Sequence, residues 1–441
     1  MLSFYKTEFT MSNNRRDFLK KSAQLSSLTF LPLLGIENTF GKNNLPFIPS
    51  KMDINDEQSW LDLRKQFPLE SGKIYFNNGT MGPSPYAVIE AVNKKMMMVD
   101  TKADYGGWED SRNSLARFVK VDESEICLTH NVTEGINIIC WALDLKEGDE
   151  ILVTNHEHVG GALPWLNRAK LQNLIVNYFE IGKNASETLS NLKKKITSKT
   201  KVIAVPHMVC TIGQIQPIRE IVAIGKEKNI KVFVDGAHGA GMLNLNLKEL
   251  GCDYYASCCH KWLCGPKGTA FLYVKKEALK DLKAHFVGAG SDNGWNVVNP
   301  PNPEMTGYAD TSHRFDYGTQ NASLWAGVDA AIELWEKIGI DKIEARVKYL
   351  AAYLQSALLN LKNEHLEMLT STEPASRGAV IAFKLNNIEY TKFQTLATEA
   401  GFRIRIVPEN GVNCIRVSTH IYNSIDEINQ FVAFTDKVAK G

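Results

Sequence analysis

Residues 254–274 read YYASCCHKWLCGPKGTAFLYV, and this stretch decides the fold and the chemistry of the chain. Two apolar runs, each typical of a buried strand, flank a small-residue turn that carries Lys261. Gly265 and Pro266 follow and break any helix through the lysine. We therefore expect Lys261 at the end of a buried strand, where desolvation favours the free amine that attacks carbonyl groups. The alternative is that Lys261 is an ordinary loop lysine. The neighbouring motifs decide between this alternative and a catalytic role.

A second strand pattern ends in an acid, in the segment KVFVDGAHGAG at 231–241. Ligands of open α/β sheets bind at the carboxyl ends of strands, so Asp235 is placed to meet one. A carboxylate there can keep the ring nitrogen of pyridoxal phosphate (PLP) protonated, and PLP is the commonest partner of a Schiff-base lysine. The alternative is that Asp235 only forms a turn and caps a helix.

Together, DGAHGAG and SCCHKWLCGPKGTAFLYV resemble the class V aminotransferase family of fold-type I PLP enzymes. The likeness is to isopenicillin N epimerase-like proteins first and to group II cysteine desulfurases next, and it runs from about Ile74 to the C-terminus. It implies an α/β fold-type I transferase, with a mostly parallel sheet between helices in a large domain and a smaller C-terminal α/β domain. It also implies that Lys261 forms the Schiff base and that Asp235 pairs with the ring nitrogen.

The resemblance implies further cofactor contacts. In HNVTEGINIICWAL, at 130–143, Thr133 stands at a helix N-terminus, where backbone amides and the helix dipole favour a phosphate. His158, after the strand DEILVT, would stack on the cofactor ring, and His238 would face its phenolic oxygen. His260 keeps its family position and is assigned to the cofactor site. A capping threonine and satisfied core histidines are the simpler alternatives.

Two positions depart from the family pattern. Cys258 stands where relatives usually carry a phosphate-binding serine or asparagine, so we assign it to the cofactor site with Ser257 as the alternative contact. Cys210 stands where desulfurases carry an asparagine that helps to hold cofactor and substrate. The substrate preference of the desulfurases is therefore not transferred to this chain.

Two segments near the chain ends carry the predicted substrate contacts. The loop YFNNGTMGPSP resembles the substrate loop of the family, which implies that Asn78 and Gly79 lie near the substrate. In NCIRVSTHIYNS, Arg416 matches the arginine that binds the substrate α-carboxylate, a task that suits a bidentate guanidinium. Arg403 and Arg405 are interpreted as surface ion-pair residues. Thr319, in the Gly-Thr motif, would reach the phosphate of a partner subunit, which implies a homodimer.

Composition excludes several classes of protein. The chain has 441 residues, 44% apolar and 22% charged, with a formal charge of +1, so it can bury a large core in two domains. The absence of a basic excess argues against nucleic-acid binding. Eight cysteines in a chain of this length, mostly in apolar runs, predict free thiols, and their spacing predicts no metal site.

The N-terminus predicts export. Residues 12–36, SNNRRDFLKKSAQLSSLTFLPLLGI, resemble a twin-arginine leader with Arg15 and Arg16 as the pair, and Met11 is an alternative start. The twin-arginine translocation machinery carries folded proteins, so a periplasmic location fits an enzyme that must bind its cofactor first. A cytosolic enzyme with a basic N-terminal helix is the alternative. We divide the chain into a leader at 1–36, a linker at 37–58, a large domain at 59–320 and a small domain at 321–441.

The favoured function is a PLP enzyme that acts at Cα of an amino acid. Epimerisation and transamination are placed first, with C–S lyase or cysteine desulfurase activity as the alternative. Desulfurase is ranked last, because GFRIRIVPENGVNCIRVS offers only Cys414, inside a strand pattern, and a persulfide nucleophile must be accessible. An exported binding protein that kept the fold without the chemistry is the hypothesis from another class.

Overall fold

The computed structural model of the chain describes residues 52–298 and 302–441. Its helices are α1 Glu57–Arg64, α2 Tyr86–Lys102, α3 Glu109–Val119, α4 Val132–Ala142, α5 Val159–Gln172, α6 Ala185–Lys195, α7 Ile218–Lys228, α8 Leu247–Leu250, α9 Ala322–Ile338, α10 Ile340–Asn360, α11 Tyr390–Glu399 and α12 Ile425–Lys440. Its strands are β1 Ile74–Tyr75, β2 Ile126–Thr129, β3 Glu150–Thr154, β4 Ile175–Phe179, β5 Thr200–Pro206, β6 Lys231–Asp235, β7 Tyr254–Cys258, β8 Ala270–Val274, β9 Trp295–Asn296, β10 Glu304–Met305, β11 Leu366–Met368, β12 Val380–Leu385, β13 Phe402–Arg403, β14 Arg405–Val407 and β15 Cys414–Ser418.

A seven-stranded sheet forms the centre of the molecule. Its strand order is β2-β8-β7-β6-β5-β3-β4, and the pairs from β4 through β7 are parallel, while β8 runs antiparallel to both of its neighbours. Apolar residues on both faces of β6 are buried in different core clusters, with Val232 and Val234 in one and Phe233 in the other. A sheet that is covered by helices on both faces needs such continuous apolar strands. The predicted α/β fold-type I architecture is confirmed.

A second sheet, of four antiparallel strands in the order β11-β12-β15-β14, lies in the C-terminal third. One face packs against α10, α11 and α12 through a separate apolar cluster that includes Leu354, Phe393 and Phe431. The early strand β1 pairs in parallel with β13. This pairing brings the loop after β1 to the second sheet, where the Gly79 amide donates to Ser418 Oγ over 2.9 Å.

The predicted domain boundaries stay predictions. The apolar side chains of α9, including Trp325 and Trp335, belong to the core of the central sheet, whereas Leu350 and Leu354 of α10 belong to the core of the second sheet. The predicted leader lies outside the described residues. Of the predicted linker, Met52 is buried and α1 already begins at Glu57.

Two further observations concern the described residues. None of their helices combines the length and the apolar character that crossing a bilayer requires. All eight cysteines lie in this part of the chain, and they are buried free thiols.

Candidate active site

The site forms where β6 and β7 end side by side. Asp235 is the last residue of β6 and lies opposite Ala256 of β7 in the parallel register. The loops that follow the two strands pack closely, because a Cβ added at Gly241 would lie within 2.5 Å of the Trp262 and Leu263 backbones. Gly241 also has a φ of +87°, which disfavours other residues. This contact holds the loop of Asp235 against the loop of Lys261.

A cavity of about 330 Å³ opens above these loops. Its walls include Lys261, Asp235, His158 and His238, four residues that are far apart in the sequence. The Lys261 Nζ lies 3.4 Å from His238 Nε2. The structure therefore brings the predicted nucleophile, the predicted partner of the ring nitrogen, the predicted stacking residue and the predicted partner of the phenolic oxygen into one cavity.

The Asp235 carboxyl is the buried acid of the cavity. Burial raises its pKa, and the Ala237 amide, which donates to Oδ1 over 2.9 Å, opposes this shift together with the charge of Lys261. Glu157 lies beside it, since a Cβ at Gly161 would be 3.1 Å from Glu157 Oε2 and 3.4 Å from Asp235 Oδ2. Burial raises the pKa of Glu157 to about 8, and the charge of Asp235 adds to the shift. Glu157 therefore holds its proton at neutral pH.

The N-terminus of α4 forms another wall of the cavity. Asn131 caps the helix, its side chain accepting from the Glu134 amide, and Thr133 in the first turn lines the cavity. His260 also lines the cavity, and its Nδ1 is buried without a hydrogen-bond partner among the described residues. Burial lowers the pKa of His260 to about 4, so the ring is neutral. Helix amides and an unpartnered ring nitrogen suit an anionic group.

Cys258 lies in the cavity wall, and its Sγ contacts the Ala237 carbonyl at 3.5 Å. Its alternative, Ser257, is fully buried and donates its hydroxyl to the Gly236 carbonyl over 2.7 Å. The Ser257 hydroxyl therefore uses its proton in a hydrogen bond within the protein. Cys210 also lines the cavity.

His158 stands at the N-cap of α5, where its Nδ1 accepts from the Gly160 amide over 3.1 Å. Burial and the charge of Lys261 lower its pKa. A neutral imidazole on the cavity wall suits the predicted stacking on an aromatic ring, and the stacking stays a prediction.

Two predicted residues lie away from the cavity surface. The side chain of Asn78 is buried, with its Oδ1 accepting from the Tyr422 hydroxyl over 2.9 Å and its Nδ2 3.5 Å from the Lys261 carbonyl. Gly79, which we also placed near the substrate, and the next residue, Thr80, line the cavity. Thr319 is exposed on the protein surface and does not line the cavity of its own chain. Both assignments stay predictions, and the contacts of Asn78 suit the placement of Lys261 better than contact with a substrate.

Two arginines approach the cavity from the second sheet. Arg416 is buried directly behind the wall, where its guanidinium donates over 2.8 Å to Thr80 Oγ1 and over 2.8 Å to the Cys210 carbonyl. Within residues 52–298 and 302–441, no carboxylate lies within ion-pair distance of Arg416. Burial lowers its pKa to about 10. Because Arg416 lies directly behind the wall, its charge favours an anionic group in the cavity.

Arg405, which we predicted to be a surface residue, lines the cavity. It lies opposite Arg416 in the antiparallel pairing of β14 with β15, and it forms an ion pair with Glu409. Sequence periodicity did not find it, because β13 ends at Arg403 and pairs with β1, while β14 starts at Arg405 and pairs with β15. The alternation of faces is therefore not continuous through this segment.

The residues of the cavity fit PLP. Asp235 provides a carboxylate for a pyridine nitrogen, Lys261 an amine for the aldehyde, and the α4 N-terminus with His260 a site for the phosphate. When bound, the cofactor supplies an electron sink for negative charge at a substrate Cα.

Comparisons with known proteins agree with this geometry. The profile of the family described as "Aminotransferase class-V" matches residues 86–431. The chain belongs to the class-V aminotransferase family. It is 30% identical over 410 residues to a probable cysteine desulfurase of Xylella fastidiosa, covering 86% of this chain and 96% of the relative.

Two solved structures extend the comparison to chemistry. A mutant of the protein C-DES with glycine covalently linked to its PLP cofactor has a TM-score of 0.78 and 27% identity, covering 85% of this chain and 98% of that one. The cystine C-S lyase C-DES with its product cysteine persulfide has a TM-score of 0.77 and 27% identity, covering 84% and 99%. The chain is a PLP-dependent enzyme, as we predicted.

Proposed function

We propose that this chain is a PLP-dependent C–S lyase that cleaves the Cβ–S bond of a cysteine-derived amino acid, with cystine as the first substrate to test. The observation that carries the proposal is a pair of arginines at the cavity that holds Lys261: Arg405 lines this cavity, and Arg416 lies opposite Arg405 in the neighbouring strand, behind the wall. The names of the relatives support C–S cleavage more than the epimerisation or transamination that we placed first from the sequence.

Lys261 acts as the base in this reaction. The amine of Lys261 takes the proton from the substrate Cα, and the electron pair left on Cα forms a double bond to Cβ as the Cβ–S bond breaks. The sulfur departs with the electrons of that bond, as cysteine persulfide when the substrate is cystine. Hydrolysis of the unsaturated fragment gives pyruvate and ammonia. No oxidant or reductant is consumed.

The cysteines of the chain support elimination rather than sulfur transfer to the protein. Cys414 is fully buried at the start of β15, and burial raises its pKa to about 12. Burial also raises the pKa of the two wall thiols, Cys210 and Cys258. A thiol nucleophile needs an exposed thiolate, so departure of the sulfur with the leaving group is favoured.

The two arginines support a substrate with two carboxylates. In the part of the chain that the structure describes, Arg416 is a buried guanidinium with no carboxylate within ion-pair distance, and it donates to Thr80, which lines the cavity. We assign it to the α-carboxylate. Arg405 reaches the cavity itself, where its partner Glu409 leaves donors of its planar guanidinium for a second carboxylate. Cystine has this second carboxylate in its distal half, whereas cysteine does not.

Replacing Arg405 tests the proposal. Arg405→Gln should raise KM for cystine about tenfold or more, as expected for one lost charge-assisted contact, and should leave KM for cysteine nearly unchanged. Arg403→Gln, two residues earlier and exposed, is the matched control. Pyruvate formation measures both reactions. An equal effect on the two substrates, or absence of pyruvate from both with wild-type enzyme, would refute the assignment.

The predictions on assembly and location also become proposals. We propose a homodimer in which Thr319 reaches the partner's cofactor phosphate, supported by the exposure of Thr319 beside the stacked and exposed rings of Phe286 and Tyr317. Light scattering and complementation between Lys261→Ala and Thr319→Ala chains test it. We further propose export through the twin-arginine pathway, for which replacing Arg15 and Arg16 by lysine and fractionating the cells is the test.

A further inference from the structure

Trp262, the residue after the catalytic lysine, is buried and makes one directed contact with the site. Its indole Nε1–H donates to His238 Nδ1 over 3.0 Å. The indole nitrogen is a donor only, since it has no lone pair to offer. The Nδ1 atom of His238 must therefore be the acceptor, which means that it carries no proton.

The surroundings of His238 keep the ring neutral. The charged and titratable groups that act on it are Lys261 after β7, Arg416 on β15, Arg405 on β14 and His158 before α5. The two arginines keep their charge in either form of Lys261, and they oppose a second positive charge on the ring. Burial, which is the largest cause, and these arginines hold the pKa of His238 well below its usual range. A neutral ring with a bare Nδ1 has its single proton on Nε2.

The Nε2–H of His238 faces the amine of Lys261 at 3.4 Å. A donor at this position is compatible with the free amine, which has a lone pair, and incompatible with an ammonium group, which can only donate. The tautomer of His238 therefore decides which form of Lys261 the site accommodates. Free amine is the form that acts as nucleophile and base.

We propose that Trp262 is a positioning residue that locks His238 in its Nε2–H tautomer and thereby makes the site favour the free amine of Lys261. Nothing in this step depends on the substrate, so it stands apart from the proposal of C–S cleavage. The proposal gives a role in the function of Lys261 to Trp262, a side chain that does not line the cavity.

The packing of Trp262 supports a fixed donor. Its ring stacks on His420, with ring centroids 5.7 Å apart and an interplanar angle of 26°. The His420 Nε2 lies 3.1 Å from the Trp262 carbonyl. The indole is therefore held on a second side, and its N–H has little freedom to turn away from His238.

Nitrogen NMR on the holoenzyme with ¹⁵N-labelled histidine tests the lock directly, without substrate. In the wild type, the signals of His238, assigned by their loss in His238→Gln, should show a bare Nδ1 and a protonated Nε2. In Trp262→Phe, Nδ1 loses its donor and the Nδ1–H form should appear. A protonated Nδ1 in the wild type, or an unchanged tautomer in the variant, would overturn the proposal.

The cofactor absorbance supplies a second readout. In Trp262→Phe, the Nδ1–H form of His238 presents a bare Nε2 to the Lys261 nitrogen, and an acceptor there favours the protonated nitrogen. The pH midpoint of the lysine-linked visible band should therefore move up by about one unit. Trp335→Phe is the matched control, because this fully buried indole donates to the Gly241 carbonyl over 3.0 Å instead of to a side chain. The control should leave midpoint and tautomer unchanged, and equal shifts in both variants would contradict the lock.

Another substitution covers the case in which Trp262→Phe does not fold. Site-specific incorporation of 3-benzothienylalanine at position 262 replaces the N–H by sulfur and keeps the shape of the ring. The tautomer of His238 should change as in the phenylalanine variant. An unchanged Nε2–H form with this residue would overturn the proposal, whatever the enzyme does to cystine.

Discussion

The two sides of the cavity are built in different ways. Asp235 and Lys261 come from loops that follow adjacent parallel strands, so their meeting depends on short local motifs and on the sheet. Arg405 and Arg416 meet through the antiparallel pairing of β14 with β15 in the second sheet. The first side carries the cofactor chemistry, and we assign the second to the substrate. The comparison shows that the cofactor residues lie in short local motifs. The arginines that we assign to the substrate are brought together only by the pairing of β14 with β15.

The largest effect is expected at the second side. Arg416→Ala should weaken kcat/KM for cystine by about 2 to 5 kcal/mol, because it removes the buried charge assigned to the α-carboxylate. The loss should appear mainly in KM, measured by pyruvate release, and the visible absorbance of the cofactor should persist.

Arg346→Ala separates binding from folding in this experiment. Arg346 is also fully buried, but it pairs with Glu57 away from the cavity. Its loss should lower stability without raising KM. If Arg416→Ala also lowered stability without raising KM, the assignment of Arg416 to the substrate carboxylate would be wrong.

A kinetic effect is expected at the first side. Asp235→Asn should keep the fold and much of the cofactor but lower kcat about tenfold for every pKa unit that the carboxylate supplies to the cofactor ring. Asp253→Asn is the control, because that carboxylate accepts from the Val232 amide near the start of β6 and does not line the cavity. Normal turnover in Asp235→Asn would remove its assignment to the ring.

Sequence reasoning predicted the first side better than the second. The motifs around Asp235 and Lys261 placed both residues at strand ends, and the apolar strands predicted a mostly parallel sheet, because these features are local. Arg405 was interpreted as a surface residue because its pairing with Arg416 depends on strands that are distant from the motifs. The sequence shows Glu157 only as the neighbour of His158, because its proximity to Asp235 arises where the start of α5 meets the end of β6 at Gly161.

A smaller effect is expected from Glu157, which lies beside Asp235. Its pKa is raised to about 8, so between about pH 5 and pH 8 the folded state keeps a proton that the unfolded state has released. Stability should therefore fall as the pH rises through this window. Relative to the wild type, Glu157→Gln should gain up to about 1.4 kcal/mol per pH unit in the free energy of unfolding. Urea titrations at several pH values, with excess cofactor, measure this difference, and parallel curves would show that Glu157 is ionised.

The fate of sulfur tests the central claim, which is elimination at Lys261 without a protein thiol. Wild-type holoenzyme is mixed with a limiting amount of cystine, and pyruvate, free cysteine persulfide and the intact protein mass are measured in the same sample. The account predicts equal amounts of pyruvate and persulfide and an unchanged protein mass, with no pyruvate from Lys261→Ala. A protein heavier by one sulfur atom, lost in Cys414→Ser or Cys210→Ser, would contradict it, as would full pyruvate formation by Lys261→Ala.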